Sequence, residues 1–367
     1  MATPRPASLV AATLPTSLGV SAASLLLPTA AGALDVPVTA VTALLSAYGW
    51  GMALAMPVTA AIATRRGMRA ATLTGAAALV LGAGLVLAAP GLPLITAGRV
   101  VLAYGAGALT VAAMGAARDI PAPGRRQRVL SAVSAGIGLS GAVGPLLGAL
   151  LADAWDWRPA LALPVLSLPA VPFLLPGLAR APQRRARIRP DRRFFTASAA
   201  MLSLSTVYFA LVYAVPQLLM AGTGLSRTAV GALLVVPGLL GAGASWGMAP
   251  VALRLGARRA ALILGAVAAS SAVAAATGPT ALVLAGSAAS AFASAAGMGV
   301  LVAAATEKLA PDSRPGGVGL FNFAFQLGSV AGPLLAALLG PALALVALLP
   351  LIALAVTKGA RALAWPA

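Results

Sequence analysis

The sequence predicts an all-α membrane protein, with twelve transmembrane helices in two pseudo-symmetric six-helix bundles. Three observations predict it. The 367 residues are 60% hydrophobic and 9% charged, whereas a soluble domain carries about 25% charged residues. The basic residues fall on alternate connections between apolar blocks. The second half of the chain echoes the first.

A spanning helix needs about 20 apolar residues. Cutting the chain at its charged and Pro/Gly breaks gives twelve such stretches. In the first half they are 8–30, 38–63, 70–89, 92–116, 129–152 and 159–178. In the second half they are 195–220, 228–251, 260–277, 281–305, 317–340 and 342–357. Ala7 to Thr29 is long enough to span and reads as the first helix, not as a cleaved leader. The short turns Pro90-Gly91 and Gly278-Pro279 force their flanking helices to run antiparallel.

Of the 25 basic residues, all except Arg99, Arg158 and Arg227 fall on one side of this arrangement. The positive-inside rule then predicts that both termini and the central loop are cytoplasmic, in a cell membrane. The only linker is the basic stretch 180–193, which divides an N-terminal bundle (1–179) from a C-terminal one (194–367). It reads as an anchor beside anionic lipid. The net charge of +18 does not mark a nucleic-acid binder, because the basic residues form no stripe with interleaved aromatics. With 0 Cys and 0 His, disulfides, thiolate metal sites and imidazole relays are excluded. No cofactor is expected.

The halves match at a nearly constant offset. Ala63-Thr64-Arg65-Arg66-Gly67-Met68-Arg69 aligns with Ala252-Leu253-Arg254-Leu255-Gly256-Ala257-Arg258, and Gly144-Pro145-Leu146-Leu147 with Gly332-Pro333-Leu334-Leu335. Asp119 and Glu307 share that offset, as do Arg126 and Arg314. Parallel repeats of this kind mark transporters whose two bundles rock about a site near the bilayer midplane.

These residues resemble the major facilitator superfamily. Arg65, Gly67 and Arg69 fit its loop motif between the second and third helices, and Gly98-Arg99-Val100-Val101 with Gly105 and Gly107 resembles its Arg-containing fourth-helix motif. Gly136, Gly141, Gly144-Pro145 and Gly148 are similar to the fifth-helix motif of exporters. Trp157-Arg158, Leu27-Pro28-Thr29 and the stretch from Pro216-Gln217-Leu218 to Gly224-Leu225-Ser226 resemble drug:proton antiporters and other multidrug exporters. The sequence departs from the pattern at two positions: Thr64 stands where the loop motif has Asp, and Gly19 where many exporters carry an acid. The resemblance implies a twelve-helix transporter, with protons as a candidate coupling ion.

All 7 acidic residues lie in connections or at span ends. Arg99 is the one ionisable residue well inside a span, where an unpaired cation costs about 2.5–3.5 kcal/mol. It is expected to face protein, either tying the fourth span to its neighbours or sensing substrate charge. A cytoplasmic gate is expected from Arg65, Gly67, Arg69 and Asp119 in one half and Arg254, Gly256, Arg258 and Glu307 in the other. Asp119 would pair with Arg65 or Arg69, and Glu307 with Arg254 or Arg258.

Small residues let helices approach closely and Pro bends them. Gly136, Gly141, Gly144, Pro145 and Gly148, with Gly332 and Pro333 in the other half, form the expected packing motif, placed where the halves meet. The prolines of the sixth span predict kinks and a lipid-facing position. Polar and aromatic groups inside spans nominate a substrate cavity: Arg99, Tyr104, Tyr208, Tyr213, Gln217, Trp246, Asn322 and Gln326. A largely apolar cavity with few polar points suits a lipophilic ligand.

The sequence therefore reads as a monomeric secondary transporter, bacterial by its Ala- and Arg-rich composition, that exports small hydrophobic or amphipathic compounds. Uptake or facilitated transport of an organic anion with Arg99 as counter-charge is the alternative. An integral-membrane enzyme is the remote one, because the acids are scattered and no nucleophile is evident.

Overall fold

The computed structural model describes residues 6–118, 120, 123–180, 188–310 and 313–359. Among them every regular element is helical. The chain divides into two compact units, Met1–Arg185 and Ala186–Ala367.

In the first unit, α1 (Pro6–Ser21) and α2 (Leu27–Leu34) are separated by a turn over 22–26. The sequence predicts one continuous span here. Pro28 accounts for the break, since it has no N–H to give the carbonyl of Ser24, four residues earlier. After α3 (Val38–Val41), α4 (Ala43–Ala88) runs through what the sequence divides into two spans. At Gly67 its backbone leaves helical geometry, with φ 84° and ψ 160°. Next come α5 (Leu92–Arg118) and α6 (Pro123–Ala154). The sixth span is a chain of short pieces: α7 (Trp157–Leu161), a 3-10 segment Leu163–Ala170, α8 (Val171–Leu174) and a 3-10 turn Leu175–Gly177. Prolines 159, 164, 169, 172 and 176 remove the donors that a kinked α-helix would still need. One side of these pieces packs on α1, α4 and α5, while Leu166 and Phe173 stay exposed.

The second unit is more regular: α9 (Arg192–Thr223), α10 (Arg227–Leu255), α11 (Ala257–Thr277), α12 (Thr280–Thr306), α13 (Arg314–Leu339), a 3-10 segment Gly340–Ala347 and α14 (Leu348–Gly359). The ends are capped by recognisable chemistry. The Asp191 carboxylate accepts from Phe194 N–H at 2.9 Å at the start of α9, and Gly224 closes that helix in a left-handed conformation.

Eight helical runs among the described residues are long and apolar enough to cross a bilayer. Two of them, Val38–Ala88 at 51 residues and Gly316–Ala353 at 38, far exceed the length of one crossing. The core is built from small side chains, as in the cluster of Leu9, Ala12, Ala112, Ala113, Ala116 and Ala117. Large apolar side chains such as Val80, Leu81, Leu345 and Ile352 point outward. That distribution suits a hydrocarbon solvent.

Each unit uses glycine for the same close approaches. A Cβ on Gly51 would strike the Val100 carbonyl, Ala103 and the Tyr104 amide; one on Gly241 would strike the Ala288 carbonyl, Ala291 and the Phe292 amide. Gly98 sits against Gly82 and Val86, and Gly286 against Ser271 and Ala275. Gly144 meets Ser21 and the Ala22 amide, and Gly332 meets Phe209 and the Ala210 amide. Gly67 and Gly256 share one backbone conformation, φ 84°, ψ 160° and φ 76°, ψ 151°. The repeat seen in the sequence is thus a repeat of packing geometry.

Candidate functional site

The most ordered polar site lies in the first unit around Arg99, which is fully buried on α5. Its Nε donates to the Leu44 carbonyl of α4 at 3.1 Å and its Nη1 to the Leu161 carbonyl of α7 at 3.0 Å. Its Nη2 donates to the Gly19 carbonyl of α1. The guanidinium lies over the Tyr48 ring, 4.6 Å from the centroid. The Tyr48 hydroxyl in turn donates to the Thr16 carbonyl at 2.8 Å, and the hydroxyl of that same Thr16 shares a hydrogen bond of 2.9 Å with the Thr110 hydroxyl. Arg99 therefore ties α5 to α1, α4 and α7. It is held within helix packing and presents no surface to a cavity. The sequence nominated Arg99 but missed Tyr48 and Gly19 as its partners; their spacing to Arg99 carries no local signal.

The glycines of α6 face α1 of their own unit. Gly136 meets Val10 and Leu14, Gly141 meets Ser17 at 3.8 Å, and Gly148 sits on the Ala22 backbone where the first span breaks. Pro145 is buried beside them. Gly332, next to the buried Pro333, plays the same part against α9.

In the second unit Tyr213 and Gln217 line a cavity of about 220 Å³, with Leu218, Ala336, Gly340 and Pro341 among its other walls. Tyr208 packs edge-on to Phe209 at 4.9 Å, and Phe209 to Phe325 at 5.6 Å. Asn322 and Gln326 are half-buried on α13, where the Ser329 hydroxyl reaches both the Gln326 carbonyl and its side-chain amide oxygen. Tyr104 is half-buried on α5 of the first unit. The side chain of Trp246 lies outside the described residues. Among the described residues, Tyr213 and Gln217 are the nominated residues that line one cavity together. A larger groove of about 790 Å³ runs between α10 and α12, walled by Leu225, Leu233, Val236, Pro237, Leu240 and Leu284 with alanines between. No motif marked it.

In the first unit Arg65 is exposed and Arg69 half-buried; in the second, Arg254 and Arg258 are exposed. Gly67 abuts the Ala179 and Arg180 carbonyls, and the Arg69 amide donates to Ala179 at 3.1 Å. Asp119 lies outside the described residues. Glu307 pairs with Arg193 of α9 at 3.4 Å, which corrects the expected pairing with Arg254 or Arg258. Arg314 donates to the Leu309 and Glu307 carbonyls at 3.1 and 3.3 Å, fastening the end of α12. In the sequence Arg193 stands out only as part of the basic linker.

Helical units with repeated close approaches and lipid-suited surfaces define a multi-pass membrane protein. The family model of the Major Facilitator Superfamily matches residues 9–202 and 194–363, and the chain belongs to that family of transporters. No curated protein matches. Solved structures share the fold at low identity. A bacterial homologue of the human lysosomal transporter Spinster, inward-facing and unoccupied, aligns with TM-score 0.66 at 15% identity over 90% of this chain and 80% of its own. The human organic anion transporter MFSD10 (TETRAN) aligns with TM-score 0.66 at 17% identity over 96% and 100%. A POT family transporter in complex with 5-aminolevulinic acid aligns with TM-score 0.73 at 12% identity over 97% and 95%.

Proposed function

We propose that this transporter exports small hydrophobic or amphipathic compounds by alternating access, with twelve crossings and both termini in the cytoplasm of a bacterial cell. Val38–Ala88 and Gly316–Ala353 each count as two crossings, and the broken segments beginning at Pro6 and Trp157 as one each.

The observation that carries the substrate class is the groove between α10 and α12. Its volume of about 790 Å³ falls in the range of small-molecule sites, and its walls carry only apolar side chains. The smaller cavity adds the Tyr213 hydroxyl and the Gln217 amide as polar points. The organic-anion alternative needs Arg99 as a reachable counter-charge, and in this conformation its guanidinium is buried and bonded to three carbonyls.

The test is flux in proteoliposomes with an imposed pH gradient, across a panel of lipophilic cations, neutral drugs and hydrophilic organic anions. Movement of the lipophilic compounds supports export; movement of the anions alone overturns it. Ala232→Trp, which fills the groove, is expected to suppress that flux while melting like the native protein.

A further inference from the structure

Arg99 is a fully buried cation, and among the described residues no carboxylate faces it. The acids on neighbouring elements are accounted for. Asp35 and Asp153 are exposed, and the Asp156 carboxylate caps α7 by accepting from the Arg158 amide at 2.8 Å. Along its own helix, Arg99 stands roughly 28 Å from the Arg118 end of α5. Among the described residues, Tyr48 is the titratable side chain that lies against it, with its ring centroid 4.6 Å away.

What fills the place of a counter-ion is visible at Gly19. A Cβ there would overlap the Tyr48 ring at its hydroxyl end, while the Gly19 carbonyl accepts from Arg99. Ring and side chain are mutually exclusive at this point. The face of an aromatic ring attracts a guanidinium, more strongly when both are shielded from water. Three backbone carbonyls supply the remaining negative potential.

We propose that Tyr48 is a positioning residue that replaces a carboxylate: its ring occupies the space beside Gly19 from which an acid would face Arg99. The first unit thus carries a cation clip built from one aromatic ring and three backbone carbonyls. The second unit has no copy of the clip, since Ser287 stands at the repeat position of Arg99 and Val207 at that of Gly19.

The test uses the full-length protein in detergent and reads thermal melting, so it does not depend on which compound is transported. Tyr48→Phe keeps the ring and is expected to melt close to the native protein; Tyr48→Leu, of apolar character without a ring, is expected several degrees lower. Gly19→Asp alone is expected to destabilise strongly because the ring blocks it. Gly19→Asp with Tyr48→Ala is expected to melt above either single variant and above Gly19→Asn with Tyr48→Ala, since only the acid supplies charge. That Asp-over-Asn advantage should vanish when Arg99→Met is added, which isolates the pairwise interaction. Equal melting of the Asp and Asn double variants overturns the proposal. So does a Gly19→Asp variant as stable as the native protein, or a failure of both double variants to fold.

Discussion

Single residues in this chain act through the backbone as much as through side chains. Arg99 reaches carbonyls on three different elements, which a planar guanidinium can do and a point-like ammonium cannot. Arg99→Lys is expected to cost about 1–3 kcal/mol, because at least one buried carbonyl loses its donor; melting of the purified variant checks this. Gly67 and Gly256 occupy a backbone region open essentially only to glycine. Gly256→Ala meets open space, so its cost is the backbone strain alone, about 1–3 kcal/mol. Gly67→Ala adds a collision with the Ala179 and Arg180 carbonyls and should melt lower than Gly256→Ala. Equal melting of the two variants would deny the contact its part.

At the scale of elements, α6 holds the broken first span in place. Gly141→Ala gains only an ordinary contact with Ser17 at 3.8 Å and should be tolerated within about 0.5 kcal/mol. Gly148→Ala pushes directly on the Ala22 backbone and should destabilise by about 1–3 kcal/mol, as overpacked sites do. A melting series across the α6 glycines distinguishes the two. The long apolar stretches of the second half were legible because hydropathy and charge mark where such helices begin and end; α9 to α13 match their expected spans within a few residues. The first and sixth spans were less so. Proline withdraws a donor four residues back, and whether the chain then kinks, unwinds or tightens depends on its neighbours. The Arg99 site was half legible: a buried cation must be satisfied, but the acceptors are main-chain carbonyls, which leave no mark in a sequence. The ion pair of Glu307 was misread because loop proximity within a repeat favoured Arg254, whereas the fold brings in Arg193 from the first turn of α9.

For the whole molecule, the duplicated packing sets equal geometry in two units of unequal chemistry. The polar clip is confined to the first unit and the apolar groove to the second. The Arg193–Glu307 pair has its acid 58% exposed, so its loss should cost no more than about 1 kcal/mol. Its weight would lie in the balance between conformations, where small energies shift populations. Reversing both charges, Arg193→Glu with Glu307→Arg, should restore flux lost in either single reversal; failure to restore it removes the pair from the transport cycle. The absence of cysteine also makes topology directly testable. A single cysteine replacing Arg189 should react with impermeant maleimide only after the membrane is opened.

The three acceptors that satisfy Arg99 all belong to residues synthesised before the second unit begins. During translation, however, the third acceptor, Leu161, emerges well after Arg99 itself. For that interval the fourth span lacks one of the three acceptors that satisfy its arginine in the folded protein. Insertion of the fourth span must therefore tolerate an incomplete set of hydrogen bonds, which the sixth span completes before the second unit begins in the chain.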